Sequence, residues 1–379
     1  MVQNSKSYDI IIIGGGLAGL SCAIHLSKAD LNVLVIEKNT YPKHKVCGEY
    51  ISNEVLPYLE YLGIEVFALG AKQIDRFELS TVKSQSISTS LPLGGFGISR
   101  YCIDNALVEK AQEKGAKLLR AQVKNVQYAD DKFNVVTNDQ QHYTAKLVIG
   151  AYGKRSNLDV KLNRQFIQRK SPYLAVKTHV NGTFPDDLVA LHNFEGGYCG
   201  VSKVETNAIN LCYITSYKSF KKHKSIEDFQ EQIIFKNKFL KDIFESTTPV
   251  FDQPLTISQI SFEDKKPVEH HIIMCGDTAA LIHPLCGNGM GMAIKSAQMA
   301  SQLIIKWFNG TIDNREALEK QYLREWNAAF KKRLKTGRIV AKLFNKPRLS
   351  EFLLQLLKLM PGLLPHIIKR THGKVMQIE

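Results

Sequence analysis

The sequence predicts an α/β fold, α+β overall, in which a parallel-strand unit is combined with an antiparallel sheet and C-terminal helices. Three observations support this class. An apolar run at 8–13 leads into a glycine-rich turn and a helical pattern. Apolar and polar residues alternate with a period of two through much of 170–262, which is typical of antiparallel strands. Helical patterns then fill most of 288–379.

The apolar run and the turn after it have the features of a dinucleotide-binding unit. Gly14, Gly16 and Gly19 give the pattern G-x-G-x-x-G, with Leu17 and Ala18 at the start of the helix. Such glycines permit a tight turn, close approach of the backbone to a pyrophosphate and close packing of helix on strand. The helix N-terminus then presents free N–H groups and a positive dipole end to the anion.

The next strand pattern, at 33–36, ends in Glu37 and Lys38. Glu37 lies about 20 residues after the first glycine, where a carboxylate accepts hydrogen bonds from the ribose of a bound dinucleotide. The alternative is a glycine turn in an α/β unit that binds nothing. The order of strand, turn, helix, strand and acid favours the Rossmann-type binding unit.

A second glycine-bearing corner lies downstream, where a strand pattern at 272–275 ends in Gly-Asp and a P-x-x-G-x-G loop precedes a helical pattern at 290–307. This corner resembles the distal flavin motif of glutathione-reductase-like FAD enzymes with a hydroxylase-type fold. The resemblance implies that the aspartate binds the ribityl chain, and that the helix N-terminus stabilises negative charge on the reduced flavin. An ordinary αβ corner with packing glycines is the alternative. The implied FAD ligands here are Gly276, Asp277, Pro284, Gly287, Asn288, Gly289 and Met290.

Two shorter fragments agree with this resemblance. Segment 145–156 is similar to the superfamily's strand–Gly-Ala-Asp-Gly signature, but Tyr152 replaces the aspartate, which weakens the case for direct reduction by NADPH. Segment 98–107 resembles its Arg-x-x-apolar-Asp helix entry, which implies that Arg100 lies near the FAD phosphates. A simple surface pair of Arg100 with its neighbouring aspartate is an equal alternative. Val123 is also assigned to the FAD site.

The segment Lys45-x-Cys47-Gly48-Glu49 narrows the subgroup. It resembles the corresponding segment of the geranylgeranyl reductase-like flavoproteins, which reduce isolated double bonds of isoprenoid chains. The resemblance implies that Lys45, Cys47 and Gly48 lie beside the flavin and that Cys47 is catalytic, as a proton donor to a substrate carbon. A small thiol packed in a loop is the alternative. Those reductases also carry Tyr-x-Trp-x-Phe-Pro, of which only Tyr198 is present, so Tyr198 is predicted to bind substrate in a differently shaped pocket.

Composition limits the setting of the protein. The chain has 379 residues, 44% of them hydrophobic, and no apolar run long enough to span a bilayer. It shows no secretory signal, and seven cysteines without a C-x-x-C pair indicate reduced thiols in the cytoplasm. The spacing of His and Cys does not indicate a metal site.

The net charge of +14 is concentrated in one segment. Residues 331–374 contain twelve Lys or Arg and one acid, so they carry +11. This basic, apolar segment predicts either an anchor on the inner membrane surface or a helix that caps the substrate domain or a dimer interface. It lacks the aromatic pattern of a nucleic-acid-binding surface. Its helical apolar face comprises Leu349, Phe352, Leu353, Leu356, Leu357 and Met360, with Leu354 and Leu359 at the margins.

These motifs also divide the chain. Residues 1–69, 98–160 and 266–330 are predicted to form the FAD-binding domain, 70–97 and 161–265 the antiparallel-sheet substrate domain, and 331–379 the basic amphipathic helices. Within the substrate domain we expect strands at 174–180, 198–205 and 208–214, a hairpin turn at 206–207, and one helix over 225–244.

We therefore expect an FAD-dependent oxidoreductase that reduces or desaturates a C–C bond of a small apolar substrate of lipid, isoprenoid or polyketide type. One alternative is an FAD-dependent monooxygenase that hydroxylates an aromatic ring, although the histidine of its usual Gly-Asp-Ala-Ala-His is missing here. Another is a peripheral flavoprotein electron carrier. The expected reductant is NADPH or NADH, or an electron-donor protein that docks on the basic segment.

Overall fold

The computed structural model describes residues 6–169, 171–344 and 346–378, except for the side chains of residues 347 and 348. Residues 1–5, 170, 345 and 379 of the predicted domains lie outside this described part. A parallel sheet with packed helices stands beside a second, largely antiparallel sheet, which is the predicted α/β class. The domain limits stay predictions.

The described strands and helices follow in chain order. The strands are β1 (Lys6–Ile13), β2 (Val33–Glu37), β3 (Tyr50–Ser52), β4 (Lys72–Ser80), β5 (Ser86–Gly97), β6 (Lys117–Arg120), β7 (Val123–Ala129), β8 (Lys132–Thr137), β9 (His142–Gly150), β10 (Tyr173–Asn181), β11 (Leu188–Phe194), β12 (Gly197–Lys203), β13 (Ile209–Ser216), β14 (Thr248–Pro249), β15 (Leu255–Ile260), β16 (Val268–Glu269) and β17 (Ile272–Met274). The helices are α1 (Leu17–Ser27), α2 (Leu56–Tyr61), α3 (Arg100–Glu113), α4 (Asn157–Lys161), α5 (Tyr217–Phe220), α6 (Ile226–Gln232), α7 (Lys238–Ser246), α8 (Gly289–Phe308), α9 (Arg315–Phe344), α10 (Pro347–Leu359) and α11 (Leu363–Thr371).

The first sheet has the strand order β16-β17-β9-β1-β2-β6, and the β7–β8 hairpin joins it through β9. Strands β17, β9, β1, β2 and β6 are parallel. Ile10, Ile11 and Ile12 of β1 are fully buried, as expected for a strand covered on both faces. The carboxyl ends of these strands share one edge of the sheet, so the segments after β1, β2 and β17 all start there.

The second sheet has the order β14-β10-β13-β12-β11-β4-β5-β3, with β15 also paired to β10. The expected strands appear as β10, β12 and β13, all antiparallel, and Asn207 turns between the last two with φ 63°. One pair differs from the predicted antiparallel pattern, because β4 lies parallel to β11. The β4–β5 hairpin comes from a distant part of the chain, so it enters the sheet beside a strand that does not follow it in sequence.

The helix predicted over 225–244 is wrong as a single element. It is divided into α6 and α7, which are separated by a short 3-10 turn. Asn237 ends the first part because its backbone is extended and its Oδ1 accepts a hydrogen bond from Phe239 N–H, which caps α7. Its amide group is bound to three distant acceptors, which fix this conformation: Ser80 Oγ, Thr81 O and Asn193 O.

The basic C-terminal helices α10 and α11 pack over the second sheet. Leu354 and Leu357 are buried, in contact with apolar residues of that sheet. The buried face of α10 is therefore rotated relative to the predicted one. Leu354, predicted at the margin, is buried, whereas Phe352, predicted on the apolar face, is 66% exposed. Leu359, predicted at the margin, points outward with an exposed fraction of 81%. Among the described residues no single helix is long and apolar enough to cross a bilayer; α10 and α11 meet that test only jointly, and they are bent by 115°.

A buried arginine connects the segment before β10 to the segment that leads into the second glycine corner. Arg164 is 1% exposed; its guanidinium is 2.9 Å from Asp159 Oδ1 and 2.7 Å from Glu269 Oε2. It also donates to the carbonyl oxygens of Lys266 and Thr278. All sides of this cation are therefore occupied by acceptors, which offsets the cost of burying it.

We expect Arg164→Ala to lower the free energy of unfolding by about 3–5 kcal/mol, because it leaves Asp159 buried without its partner. Urea unfolding followed by circular dichroism measures this loss. The control is Arg169→Ala, since Arg169 is 72% exposed and its one ion-pair partner within the described part of the chain is Glu263; it should cost less than about 1 kcal/mol. Equal losses for the two variants would show that the buried pair is unimportant.

Candidate active site

The two glycine-bearing corners predicted from the sequence lie against each other. Gly276 has φ +61°, and a Cβ at this position would be 3.1 Å from the Cβ of Ala18. The Gly276 N–H donates to Ser296 Oγ of α8 at 2.9 Å. Helices α1 and α8 also pack side by side, with Cys22 Sγ 3.7 Å from Ala297 O. The N-termini of both helices therefore open into one cavity.

This cavity has a volume of about 930 Å³, the size of a ligand site. Gly14 and Gly19 lie directly behind its wall. Val123 is outside the lining because it is buried at the start of β7, so its assignment to FAD stays a prediction. The other predicted cofactor residues all line the cavity: Gly16, Leu17, Ala18, Glu37, Lys38, Lys45, Cys47, Gly48, Arg100, Gly276, Asp277, Pro284, Gly287, Asn288, Gly289 and Met290.

Gly14 and Gly19 are required by close backbone contacts. A Cβ on Gly14 would overlap the carbonyl group of Ala151, and a Cβ on Gly19 would overlap the carbonyl oxygen of Gly14. Gly14 also has φ +105°, a conformation that strains other residues. The predicted roles of these two glycines in the turn and in helix packing match this geometry, and the turn presents bare backbone to the cavity.

Glu37 is held in place by the glycine turn. Its Oε2 accepts a hydrogen bond from Gly15 N–H at 2.8 Å, and its Oε1 accepts one from Asn39 N–H at 2.9 Å. Tyr41 donates to the Gly15 carbonyl oxygen at 2.5 Å from the other side. The carboxylate is thereby fixed at the end of β2, where the ribose hydroxyls of a dinucleotide would meet it.

Arg100 pairs with its neighbouring aspartate, which is buried and not on the surface, and its position near the FAD phosphates stays a prediction. Its Nε and Nη2 donate to the two oxygens of Asp104 at 2.9 and 2.8 Å, and Lys45 Nζ lies 2.7 Å from the same carboxylate. Burial alone would raise the pKa of Asp104, but Arg100 and Lys45 lower it below its usual value. Arg100 still lines the cavity, 3.5 Å from the Cβ position of Gly16. Two cations and one anion leave a net positive charge beside the glycine turn, which suits a pyrophosphate.

The N-terminus of α8 is positioned by a buried acid. Asn288 Nδ2 donates to Glu54 Oε2 at 3.4 Å and to Thr371 O at 3.2 Å. Glu54 also accepts hydrogen bonds from Arg333 and from Gly373 N–H. Within the described residues no side chain caps α1 or α8, so the first-turn N–H groups of both helices remain available to a ligand.

Cys47 lies on the cavity wall between the two sheets, in the loop that ends at β3. Its Sγ is 3.5 Å from Met290 Sδ at the start of α8, and its carbonyl oxygen accepts a hydrogen bond from Asn210 Nδ2 at 3.3 Å. Gly48 beside it has open space where a Cβ would lie. The loop therefore presents a half-buried thiol to the region between α8 and the second sheet.

Glu49 attaches this loop to the second sheet. It is fully buried with φ 53°, and its Oε1 accepts hydrogen bonds from Lys177 Nζ at 2.5 Å and Arg100 N–H at 2.8 Å. Its Oε2 is 2.7 Å from His179 Nε2. His44, Glu49 and His179 have ligand atoms within 4.8 Å of one another. Because Lys177 already balances the carboxylate charge, a hydrogen-bonded ion pair accounts for this cluster without a metal ion.

Lys265 lies behind the cavity wall, where it supports two lining residues, and no sequence motif marks it. Its Nζ donates to the carbonyl oxygens of Lys154 and Asp277, at 2.8 and 2.7 Å. Burial lowers the pKa of Lys265 to about 8. It joins the loop after β9 to the second glycine corner. Its burial depends on contacts between distant parts of the chain, so no local pattern in the sequence predicts it.

The part of the cavity beyond the Cys47 loop is largely apolar, with a floor on the second sheet and a roof formed by the end of α9 with α10 and α11. The two layers face each other directly beyond the Cys47 loop. Floor residues are Phe77, Leu79, Leu91, Ala175, Val189, Leu191, Val201, Ile214, Leu255, Ile257 and Ile260, and roof residues are Val340, Leu343, Phe344, Leu353, Leu356, Leu357, Leu363, Leu364, Ile367 and Ile368.

One polar side chain of the cavity wall, Tyr198, packs against a buried histidine, His283, which is not itself part of the lining. Tyr198 lines the cavity, and its ring centre is 5.9 Å from that of His283. Both are buried, and neither Tyr198 Oη nor His283 Nδ1 has a hydrogen-bond partner among the described residues. Burial raises the pKa of Tyr198, although the Leu285 backbone, which lies near Oη but outside hydrogen-bond geometry, opposes this rise, and burial lowers the pKa of His283 to about 4. Both groups are therefore neutral at physiological pH.

Comparison with known proteins decides the family. Residues 7–334 match the family described as FAD binding domain. The chain belongs to this family. It is 25% identical over 347 residues to a digeranylgeranylglycerophospholipid reductase of Methanoculleus marisnigri, covering 86% of this chain and 83% of the relative. It is 22% identical over 318 residues to a menaquinone reductase of Mycobacterium tuberculosis, covering 79% and 76%.

The fold of this FAD binding domain protein is similar to that of a solved flavin-dependent brominase, Bmp2. The TM-score is 0.75 at 18% identity, and the match covers 96% of this chain and 93% of the brominase. The similarity thus extends to reductases and to a halogenating enzyme. The protein is an enzyme of the FAD-binding oxidoreductase and monooxygenase type, and the geranylgeranyl reductase-like subgroup stays a prediction.

The cavity wall fits FAD on its own geometry. Bare backbone at the glycine turn and the net positive charge of the Arg100 cluster suit the pyrophosphate. The fixed Glu37 carboxylate suits the adenosine ribose, and Asp277 lies between this turn and the N-terminus of α8. These residues would hold the two ends of one extended dinucleotide along the carboxyl edge of the first sheet.

We expect Gly276→Ala to weaken FAD binding about 5- to 150-fold, because the added Cβ strains the backbone and presses on Ala18. Titration with FAD, followed by quenching of flavin fluorescence, gives the affinity. Gly362→Ala is the control, since its Cβ would meet no atom within 4 Å. Unchanged FAD affinity in Gly276→Ala would show that the two corners do not need this contact.

We expect Glu49→Gln to lower the free energy of unfolding at neutral pH by about 3–5 kcal/mol, because Lys177 is left buried without a counter-charge. Burial raises the pKa of Glu49, but His179 and Lys177 bring it below its usual value. Its contribution is therefore present above the unfolded-state pKa of about 4.3 and is lost as pH falls through the lower folded-state pKa.

Urea unfolding over a series of acidic pH values tests whether the stabilisation by Glu49 is lost as the pH falls. The difference between wild type and Glu49→Gln should shrink toward low pH, whereas the exposed control Glu60→Gln should match the wild type throughout. A difference that stays constant down to the lowest pH would mean that the Glu49 charge does not stabilise the loop.

Proposed function

We propose that this protein is an FAD-dependent oxidoreductase that reduces a C–C double bond in an apolar, lipid-like substrate. The observation that carries the proposal is the continuity of one cavity, from the dinucleotide cradle to an aliphatic compartment between the second sheet and the C-terminal helices. Transfer of an apolar chain from water into a compartment with this lining is favourable by about 25 cal/mol for each Å² of apolar surface buried. Two reductases among the relatives act, by name, on a lipid and on a quinone.

Cys47 is the proton donor in this proposal. Bound FAD would supply the hydride chemistry at its flavin ring. When hydride adds to one alkene carbon, the neighbouring carbon takes the proton of the Cys47 thiol, and solvent returns a proton to the sulfur. The fixed position of its loop supports this role, because Glu49 holds the loop to the second sheet and Asn210 donates a hydrogen bond to the Cys47 carbonyl oxygen.

Tyr198 is a polar side chain in the wall of the apolar compartment. Its hydroxyl is buried without a partner among the described residues, which costs free energy, and a rotation of the side chain toward a substrate oxygen would recover it. This supports a substrate with a long apolar body and one hydroxyl or carbonyl oxygen. The oxygen would fix which double bond of the chain lies beside Cys47.

The test is an anaerobic single turnover. FAD-loaded protein is photoreduced and mixed with an isoprenoid alcohol or with a small phenol of the kind that aromatic hydroxylases use. We expect flavin reoxidation with formation of the saturated product for the isoprenoid alone. Reoxidation that needs oxygen, with hydroxylation of the phenol, would favour a monooxygenase and overturn the proposal.

The role of the thiol is tested in the same assay. Cys47→Ala should slow substrate reduction by about 100-fold or more, the usual contribution of a positioned general acid, while photoreduction of the flavin is unchanged. Cys102→Ala is the matched control, because Cys102 is also partly buried but does not line the cavity. A wild-type rate in Cys47→Ala would remove the thiol from the mechanism.

A further inference from the structure

We propose that α10 and α11 dock on an anionic lipid bilayer through their outer side, so that the roof of the substrate compartment is also the membrane-contact surface. The outer edge of the roof consists of Phe352, Leu359 and Met360, which are 66%, 81% and 53% exposed. These are large apolar side chains on a segment whose opposite side already lines the cavity. The chain therefore presents apolar surface on both sides of one helix.

The outer edge is a continuous feature of α10. Phe352 and Leu359 are seven residues apart, so they lie on the same side of the helix, and Met360 follows at the turn into α11. The inner side of α10, with Leu353, Leu354 and Leu357, faces the cavity and the second sheet. The inner side accounts for the core packing of the helix, so the outer edge needs a different partner.

Charge identifies that partner as an anionic surface. Residues 346–374, which include α10 and α11, contain six Lys or Arg and one acid, Glu351, so they carry +5. Lys358 is exposed beside the outer edge, and Lys369 and Arg370 are exposed at the end of α11. A second copy of the chain on a two-fold axis would bring the same positive segment against itself, which is unfavourable. Anionic lipid headgroups attract these side chains while the apolar edge enters the lipid interface.

The bend between α10 and α11 is compatible with helices that lie on the surface of a bilayer. Because α10 and α11 are bent by 115°, they cannot continue one another as a straight span. A smaller cavity of about 380 Å³ beside α11 is lined by Lys369 and Lys374 and shares Leu91 and Ile368 with the main cavity. The two cavities are therefore adjacent at α11, next to the exposed cations of that helix.

The experiment is co-sedimentation of oxidised, FAD-loaded protein with vesicles, in the absence of substrate. Vesicles of phosphatidylglycerol mixed with phosphatidylcholine are compared with vesicles of phosphatidylcholine alone. We expect binding to the anionic vesicles only. The double variant Phe352→Ser, Leu359→Ser should bind at least about tenfold more weakly, and Lys369→Ala and Arg370→Ala should each weaken binding about fivefold.

Val160→Ser is the control, because Val160 is 56% exposed on α4, away from the roof, and its variant should bind as the wild type does. Flavin absorbance of each variant confirms that the cofactor site is intact. Equal binding to neutral and anionic vesicles, no binding at all, or unchanged binding of the Phe352 and Leu359 double variant would each overturn the proposal.

Size-exclusion chromatography without lipid gives an independent outcome. A wild-type dimer that becomes a monomer in the Phe352 and Leu359 double variant would show that a second copy covers the outer edge, and would also overturn the proposal. Vesicle binding is measured without turnover, so its failure leaves the proposed reaction standing. Failure of the single-turnover assay likewise leaves the docking surface standing.

Discussion

The contact between Gly276 and Ala18 is the constraint on which the rest of the site depends. It brings the turn after β1 against the turn after β17, although more than 250 residues of chain separate them. Because both turns lead into helices, this contact also places the N-termini of α1 and α8 at the two ends of one groove. A side chain at Gly276 would separate the helices, and the groove would lose its two fixed ends.

Two clusters of ion pairs then fix the loop that carries Cys47, and the Glu49 cluster joins this loop to the second sheet. Glu49 has its charge balanced by Lys177, and Asp104 has its charge balanced by Arg100 and Lys45. Buried pairs of this kind add little net stability compared with apolar packing, but they fix one arrangement, since any shift leaves a charge unpaired. The loop with Cys47 lies between the two clusters, so its position relative to the groove is defined from both sides.

Local patterns in the sequence are sufficient to predict the parallel-strand unit. The glycine spacing, the acid after β2 and the Gly-Asp corner are marked by short motifs, and the strand–turn–helix order that they predict is present. The period-two pattern likewise predicted β10, β12 and β13. These features depend on residues close together in the chain, whose conformations are set by backbone geometry and by burial of one face.

Such local patterns do not predict contacts between residues that are far apart in the sequence. The apolar spacing at 225–244 resembles one helix, but Asn237 interrupts it through hydrogen bonds to residues up to 157 positions away. The partners of Glu49 are 128 and 130 residues distant and depend on the register of β10. The periodicity of α10 predicted an apolar helix, but it did not specify that Leu354 would face inward and Phe352 outward, because both sides of that helix are apolar.

The meeting of two distant turns makes the coenzyme a cross-link as well as a reagent. Unfolding separates the turns and destroys the groove, so FAD binds only the folded chain. By mass action, free FAD at a hundredfold excess over its dissociation constant would stabilise the fold by about 2.7 kcal/mol, a substantial part of the stability of a typical domain. The melting temperature of this flavoprotein is thereby coupled to the supply of its coenzyme, and depletion of the flavin makes the chain itself more easily denatured.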